Sequence, residues 1–350
     1  MCMIAAYTGT RQAAPILIDM LRREEGFWSG YYTGIATIDN GKLYYAKVLG
    51  DLDELLRTTD AASLPGATGI IHGRTPSGGD REFAHPYVSC DQKLALVENG
   101  SSGIFSDKKP FVDAAKYLLS KGHVFTSRVQ SAVTKYPVLP DGSCLHVCDI
   151  QCHYCEERIH EGDSPLDALI AAETDLLSED VGVMIHADFP QTIFAARHNQ
   201  PMTLARTADE SFLATSPTAF PADREYIGYD LLPAEAGVSV HPGQYSVKNF
   251  RNIPVPVQPI TAQVMAQGYE VVMDALKGAS APLSFPEIAE LCAAAFTGEG
   301  MRQNAALGYA IVDSLLKSGE AALSVVRVPG MVPELTAPKF LISKRTSPAL

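Results

Sequence analysis

The chain has 350 residues, 46% of them hydrophobic and 19% charged. That is enough apolar material for a full core and, at about 150 residues per domain, for two domains, so a mainly disordered state is excluded. Its 28 Lys and Arg against 40 Asp and Glu leave a formal charge of −12, which repels phosphate backbones and anionic lipid and disfavours nucleic acid as a partner. No run approaches the ~18 consecutive apolar residues of a membrane span, and the opening MCMIAAYTGTR has neither a basic n-region nor a cleavable signal pattern. A cytoplasmic protein without membrane contact is expected. Seven cysteines is an odd number, and four of them crowd into residues 144–155, which reads as reduced thiols rather than a spaced disulfide framework.

The first stretch predicts a strand, a turn and an amphipathic helix with apolar Ile16, Ile18, Met20 and Leu21. A period-2 hairpin follows in TGIATIDNGKLYYAKV, turning at Asp39-Asn40-Gly41. Further strands are predicted at 67–74, 93–100, 181–188, 191–198, 203–206 and 211–216, with helices at 109–122 and 164–177. The second helix opens on Ser164 as N-cap and Pro165 at its first position. Strands in runs with helices between them favour stacked, mostly antiparallel sheets covered by helices. The segment 251–261 carries Pro254, Pro256 and Pro259, which suits neither a sheet interior nor a helix, and reads as a linker. Residues 262–350 then read as three helices, one opened by the capping box Ser284 to Glu287, and a hairpin around a Pro/Gly turn. That order is winged-helix-like. Seven Lys and Arg against eight acidic residues there argue for dimerisation or partner docking over reading DNA, which needs a basic face.

Cys2 follows the initiator Met1, and its small side chain normally permits methionine removal. A terminal Cys offers a thiol and an α-amine that serves as its own general base. Downstream, IHGRTPSGG (71–79) places Arg74 and Ser77 after a strand, FAHPY spans 83–87, and Asn99-Gly100 ends another strand. Separately these read as a strand-end salt bridge and an ordinary turn. In this order, with Cys2 at the start, they resemble the class II glutamine amidotransferase domain of the N-terminal-nucleophile hydrolases. In particular they resemble the glutaminase half of glucosamine-6-phosphate synthase. That family reads Met-Cys-Gly-Ile, HTRWATHG, NAHPH and HNG in the same sequence of positions. Residues 148–159, 195–206 and 211–220 continue the likeness, and 48 residues separate Asp149 from Arg197, about the family's spacing. An insertion is placed within roughly 126–147.

The resemblance covers about residues 2–250 and implies a four-layer αββα sandwich in which glutamine is the substrate. It assigns Cys2 as nucleophile, Asn99 and Gly100 to the oxyanion, Arg74 to the substrate carboxylate, Asp149 to its ammonium, and Ser77 to an added hydrogen bond. His72 and His85 read as structural. Glu98 stands where the family has His, Thr75 where it has Trp, and GYYTG (30–34) where it has GYDSAG, which puts coupling to the usual acceptor in doubt. With about 90 residues after the linker at 251–261, room for the family's isomerase domains is not expected in this chain. The acceptor then lies on a partner chain, or the reaction stops at glutamate and ammonia. A regulatory glutamine-binding scaffold and a different N-terminal-Cys amidase are the rival readings, and a homodimer fits the C-terminal module. No cofactor is expected. The alternative is zinc on Cys144, Cys148, Cys152 and Cys155, of which the last three share a helix face; core thiols are the competing reading.

Overall fold

The computed structural model describes residues 1–100, 107–133, 136–253 and 255–345. Pro254 of the expected linker, two residues of the expected insertion and the last five of the expected C-terminal module lie outside the described residues. In chain order the elements are β1 (Met3–Thr8), α1 (Ala13–Glu24), β2 (Tyr32–Asp39), β3 (Lys42–Leu49), α2 (Leu52–Thr58), β4 (Thr68–Arg74), β5 (Tyr87–Val88), β6 (Leu94–Asn99) and α3 (Lys109–Ser120). There follow α4 (Val147–His160), α5 (Pro165–Asp175), β7 (Val181–His186), β8 (Ile193–Arg197), β9 (Thr203–Arg206), β10 (Ser211–Ala214), β11 (Gly228–Leu231), β12 (Ala236–His241) and β13 (Gln244–Asn249). The chain then runs through α6 (Ala262–Gly278), β14 (Leu283–Ser284), α7 (Phe285–Cys292), α8 (Asn304–Ser318), β15 (Ala321–Pro329) and β16 (Thr336–Lys344).

The strands form two large antiparallel sheets. One has the order β11-β9-β10-β1-β4-β2-β3 and the other β13-β12-β8-β7-β6-β5. Branched and small residues alternate into the space between them: Ile4, Ala6, Ile38 and Ile70 from the first sheet meet Val97, Val183, Ile185 and Val238 from the second in one dry cluster. The outer faces are covered by helices, as strand alternation requires of a sheet apolar on both sides. On the first sheet lies α1, whose buried face is Ala13, Leu17, Met20, Leu21 and Glu24. The expected face is thus corrected by part of a turn, since Ile16 and Ile18 are only partly buried. On the second lie α4 and α5, α5 being capped by Ser164, whose side chain accepts from the Asp167 amide. Asn40 and Gly41 adopt φ of 48° and 72°, the two left-handed residues a tight hairpin turn needs.

The C-terminal segment forms three helices and a small antiparallel sheet of order β14-β16-β15, with the Ser284 to Glu287 capping box present. It is pressed onto the outer side of the first sheet and shares its apolar cluster. Phe27 is the hub: its ring centroid lies 5.7 Å from Phe285, 5.6 Å from Tyr309 and 5.1 Å from Phe340, all edge-on. Arg327 of β15 reaches Asp51, the N-cap of α2, at 2.5 Å. Val257 forms a parallel bridge to Met301, so the proline segment is pinned along its path. Among the described residues, no helix is long and apolar enough to cross a membrane. Truncating the hub as Phe27→Ala should cost about 3–5 kcal/mol of unfolding free energy, as for other buried aromatics. Urea denaturation checks this, and a loss below about 1 kcal/mol would contradict the shared core.

Candidate active site

The centre of the first sheet delivers the chain start to the seam between the sheets. β1 is paired on both sides, to β10 and β4, and is wholly buried, so the residue before it is fixed by the ladder. The backbone N–H of Cys2 donates to Asn99 Oδ1 at 2.6 Å. Asn99 ends β6 of the opposite sheet, and this bond therefore crosses the sandwich. The Asn99 amide nitrogen is buried and has no hydrogen-bond partner among the described residues. Gly100 follows with its Cα against Asp180: a Cβ there would lie 2.0 Å from Asp180 Oδ1, so only glycine fits this approach.

A cavity of about 370 Å³ opens here, and Cys2, Arg74, Ser77 and Gly100 are among its lining residues. Arg74, at the end of β4, is 1% exposed. Its Nη1 and Nη2 both donate to the Gly78 carbonyl at 3.0 Å, Nη2 also donates to the Tyr136 hydroxyl at 2.6 Å, and the guanidinium lies over the Tyr32 ring at 4.4 Å. Burial works against its charge, but the surrounding tyrosines more than compensate and hold it above the ordinary value. A buried guanidinium fork beside a cavity has the charge and donor geometry that suit a carboxylate. Ser77 sits beside Thr75, their hydroxyls 3.2 Å apart.

Asp149 is brought near but not into the wall. It lies in the first turn of α4, next to the lining residues Val147 and Cys148. Its Oδ2 accepts from the Ser127 amide and hydroxyl, each at 2.8 Å, and its Oδ1 is 3.4 Å from His153 Nε2. Cys148, Cys152 and Cys155 pack into the apolar cluster beneath α4, where burial pushes all three thiols well up. Cys144 belongs to a backbone bridge with Val129 and Val138. No three of these four sulfurs lie within 4.8 Å of one another, so the tetrathiolate alternative is corrected: the helix turns the thiols into the core rather than toward a common point.

Several lining groups were not legible as site residues. Tyr136 comes from the expected insertion, which carries no periodic signal to place it. His85 and His146 are buried and pushed well down, by burial first and then by neighbouring positive charge. His72, whose Nε2 donates to the Glu98 carbonyl at 3.0 Å, is pushed by burial to about 3. All three are neutral. Glu98 and Asp180 also line the cavity, and with Glu173 they form a buried carboxyl group of three. Burial, followed by mutual repulsion where they face each other, raises Glu98 and Glu173 well above the carboxylate range; burial likewise raises Asp180. The Met1 amine is buried and pushed down by that burial, and Met1 lines both this cavity and a second one of about 360 Å³ against Gln303 and Asn304.

No family model matches the chain. Its N-terminal part is similar to curated proteins described as glutamine–fructose-6-phosphate aminotransferase (isomerizing). That of Pyrococcus horikoshii is 30% identical over 223 residues, 63% of this chain and 33% of the relative; that of Chlorobaculum tepidum is 28% identical over 262 residues, 72% of this chain and 38% of the relative. The chain thus spans about a third of the length of these relatives. In fold it is similar to a glutamine phosphoribosylpyrophosphate amidotransferase from B. subtilis, with a TM-score of 0.57, 14% identity and 92% of this chain and 66% of that one covered. A structure described as the allosteric regulatory enzyme of purine biosynthesis gives a TM-score of 0.58 at 16% identity, over 88% and 63% of the two chains. By class, the N-terminal part is related to the class II glutamine amidotransferases. Within them its curated relatives are the glutamine–fructose-6-phosphate aminotransferases, matched over their glutaminase part.

The buried carboxyl groups generate a pH signature. A carboxyl raised on folding binds its proton more tightly in the native state, so native stability is full below the ordinary carboxyl range and declines as pH rises above it, by up to about 1.4 kcal/mol per pH unit per group. Glu98→Gln should flatten this decline, read from urea midpoints between pH 5 and 8 (about three units,). An unchanged slope would show that Glu98 is not held neutral.

Proposed function

We propose that this protein hydrolyses the side-chain amide of glutamine through a Cys2 thioester, releasing glutamate and ammonia. The observation that carries the reading is the Cys2 N–H to Asn99 Oδ1 bond together with the idle Asn99 amide nitrogen beside the same cavity. Removal of Met1 turns the Cys2 nitrogen from an amide into an α-amine without moving it, so Asn99 keeps the base in place. The thiol proton passes to that amine, and the sulfur attacks the amide carbon. Asn99 Nδ2 and the Gly100 N–H meet the oxyanion that forms. The amine returns its proton to the leaving nitrogen, the C–N bond breaks and ammonia departs. Water then attacks the thioester, giving glutamate and restoring the thiol.

Arg74 takes the substrate α-carboxylate by exchanging its Gly78 and Tyr136 partners for two carboxylate oxygens. Asp149, held by Ser127 just behind the cavity wall, is the proposed anion for the α-ammonium; burial raises the Glu98 carboxyl well above the carboxylate range, which works against its taking that role. The ammonia is proposed to pass to an acceptor held by another protein, or to be released to solvent. The segment 262–350 is proposed as a winged-helix-like docking module; its order of three helices with a three-stranded sheet supports this.

Trimmed protein given glutamine should release glutamate, and Cys2→Ala should abolish it. Arg74→Ala should raise KM for glutamine by about 10²-fold or more, the loss of a charge-assisted bidentate pair worth about 3 kcal/mol. Coupled glutamate detection checks both. Glutamate release that survives Cys2→Ala, or a KM unmoved by Arg74→Ala while simple amides are cleaved equally well, would favour a different amidase.

A further inference from the structure

Outside the cavity, four side chains from three separate segments aim one ligand atom each at a common point. Cys90 follows β5, His123 lies in the turn after α3, and His153 and Glu156 stand one turn apart on α4. Cys90 Sγ is 3.7 Å from His153 Nδ1, the two imidazole Nδ1 atoms are 3.4 Å apart, and Glu156 Oε2 is 3.1 Å from His123 Nδ1 and 2.9 Å from His153 Nδ1. All four atoms lie within 4.8 Å of one another. Bonds of 2.0–2.3 Å to a tetrahedral zinc put its ligand atoms about 3.3–3.8 Å apart, close to this arrangement.

The surroundings are those of a metal site. His153 Nε2 faces Asp149 Oδ1 at 3.4 Å and His123 Nε2 faces Glu157 Oε2 at 3.2 Å, so each imidazole that turns Nδ1 inward has a carboxylate behind it, the outer arrangement that orients metal-bound histidines. The Val124 N–H points at Cys90 Sγ from 3.4 Å, and the Cys90 and Asp91 amides hold Glu156 at 3.0 and 2.9 Å. His123, His153 and Glu156 are buried, and only Cys90 reaches the surface.

We propose that Cys90, His123, His153 and Glu156 bind one zinc ion. Thiolate, imidazole and carboxylate together select zinc over magnesium or calcium, which take oxygen ligands. Four protein ligands close the coordination shell, so the ion is structural rather than catalytic. Binding displaces the Cys90 thiol proton to solvent and requires each imidazole in its neutral form, with the ring proton on Nε2 toward the carboxylate behind it and the Nδ1 lone pair on the metal, with no change of oxidation state. The ion ties the loop after β5 and the turn after α3 to the helix that carries Asp149, and orients His153 against that carboxylate. Its effect on glutamine binding rests on the function proposed above; the metal content does not.

The test is zinc measured by plasma mass spectrometry on the untagged full chain after exposure to zinc and exhaustive desalting. About one ion per chain is expected, falling at least about tenfold in Cys90→Ser/His123→Ala and unchanged in the control His241→Ala on β12. Cobalt(II) loaded into the wild-type chain should give a thiolate-to-metal charge-transfer absorption and tetrahedral d–d bands, a readout that does not depend on how the variants fold. A wild-type chain that leaves the column without metal, or zinc retained in full by the double variant, overturns the proposal. Metal loss with glutaminase activity intact would leave the zinc site standing and remove only its link to Asp149.

Discussion

The hydrogen bond from Cys2 to Asn99 joins the two sheets at the point where chemistry is proposed. Cys2 precedes the central strand of one sheet, Asn99 ends a strand of the other, and the 2.6 Å contact between them exists only when both sheets are in register and packed face to face. The dry cluster of Ile4, Ala6, Val97 and Val183 fixes that packing. A register slip of one residue in β1 would turn the alternating side chains to the wrong faces. The position of Cys2 is thus a consequence of the sandwich core rather than of local loop structure.

The charges around that bond are managed by burial. On one side of the cavity Arg74 keeps its charge because aromatic hydroxyls and a carbonyl surround it. On the other, Glu98 and Glu173 are buried with no ion-pair partner among the described residues, and burial raises both well above the carboxylate range. The buried imidazoles of His72, His85 and His146 are all shifted toward their neutral form. Arg74 and Lys108 are the cations that line the cavity, and a buried anion is costly unless it is paired with one of them.

Much of this was legible in the sequence because it is written in short-range patterns. The hairpin at Asn40-Gly41, the Ser164 and Ser284 caps, and the alternating strands each depend on a few neighbouring residues, and the structure contains them all. Cys2, Arg74 and Asn99-Gly100 were found by their order along the chain. What escaped depends on contacts between distant segments. Tyr136 meets Arg74 across 62 positions, and Cys90 meets His153 across 63. Four cysteines in twelve residues read as core thiols with zinc as the alternative, and three of them are buried in the apolar cluster beneath α4. The ligand set proposed instead has its local signal on the same helix, in His153 and Glu156, three residues apart and on one face.

The central claim is that Cys2, freed of Met1, is the nucleophile of a glutamine-specific site. Exposing the purified protein to a diazoketone analogue of glutamine and locating the adduct by peptide mass spectrometry tests it most directly. The account predicts one adduct per chain, on Cys2 of a chain that begins at Cys2, and protection by glutamine. An adduct on another cysteine, or a chain that retains Met1 and takes up no label, would contradict it.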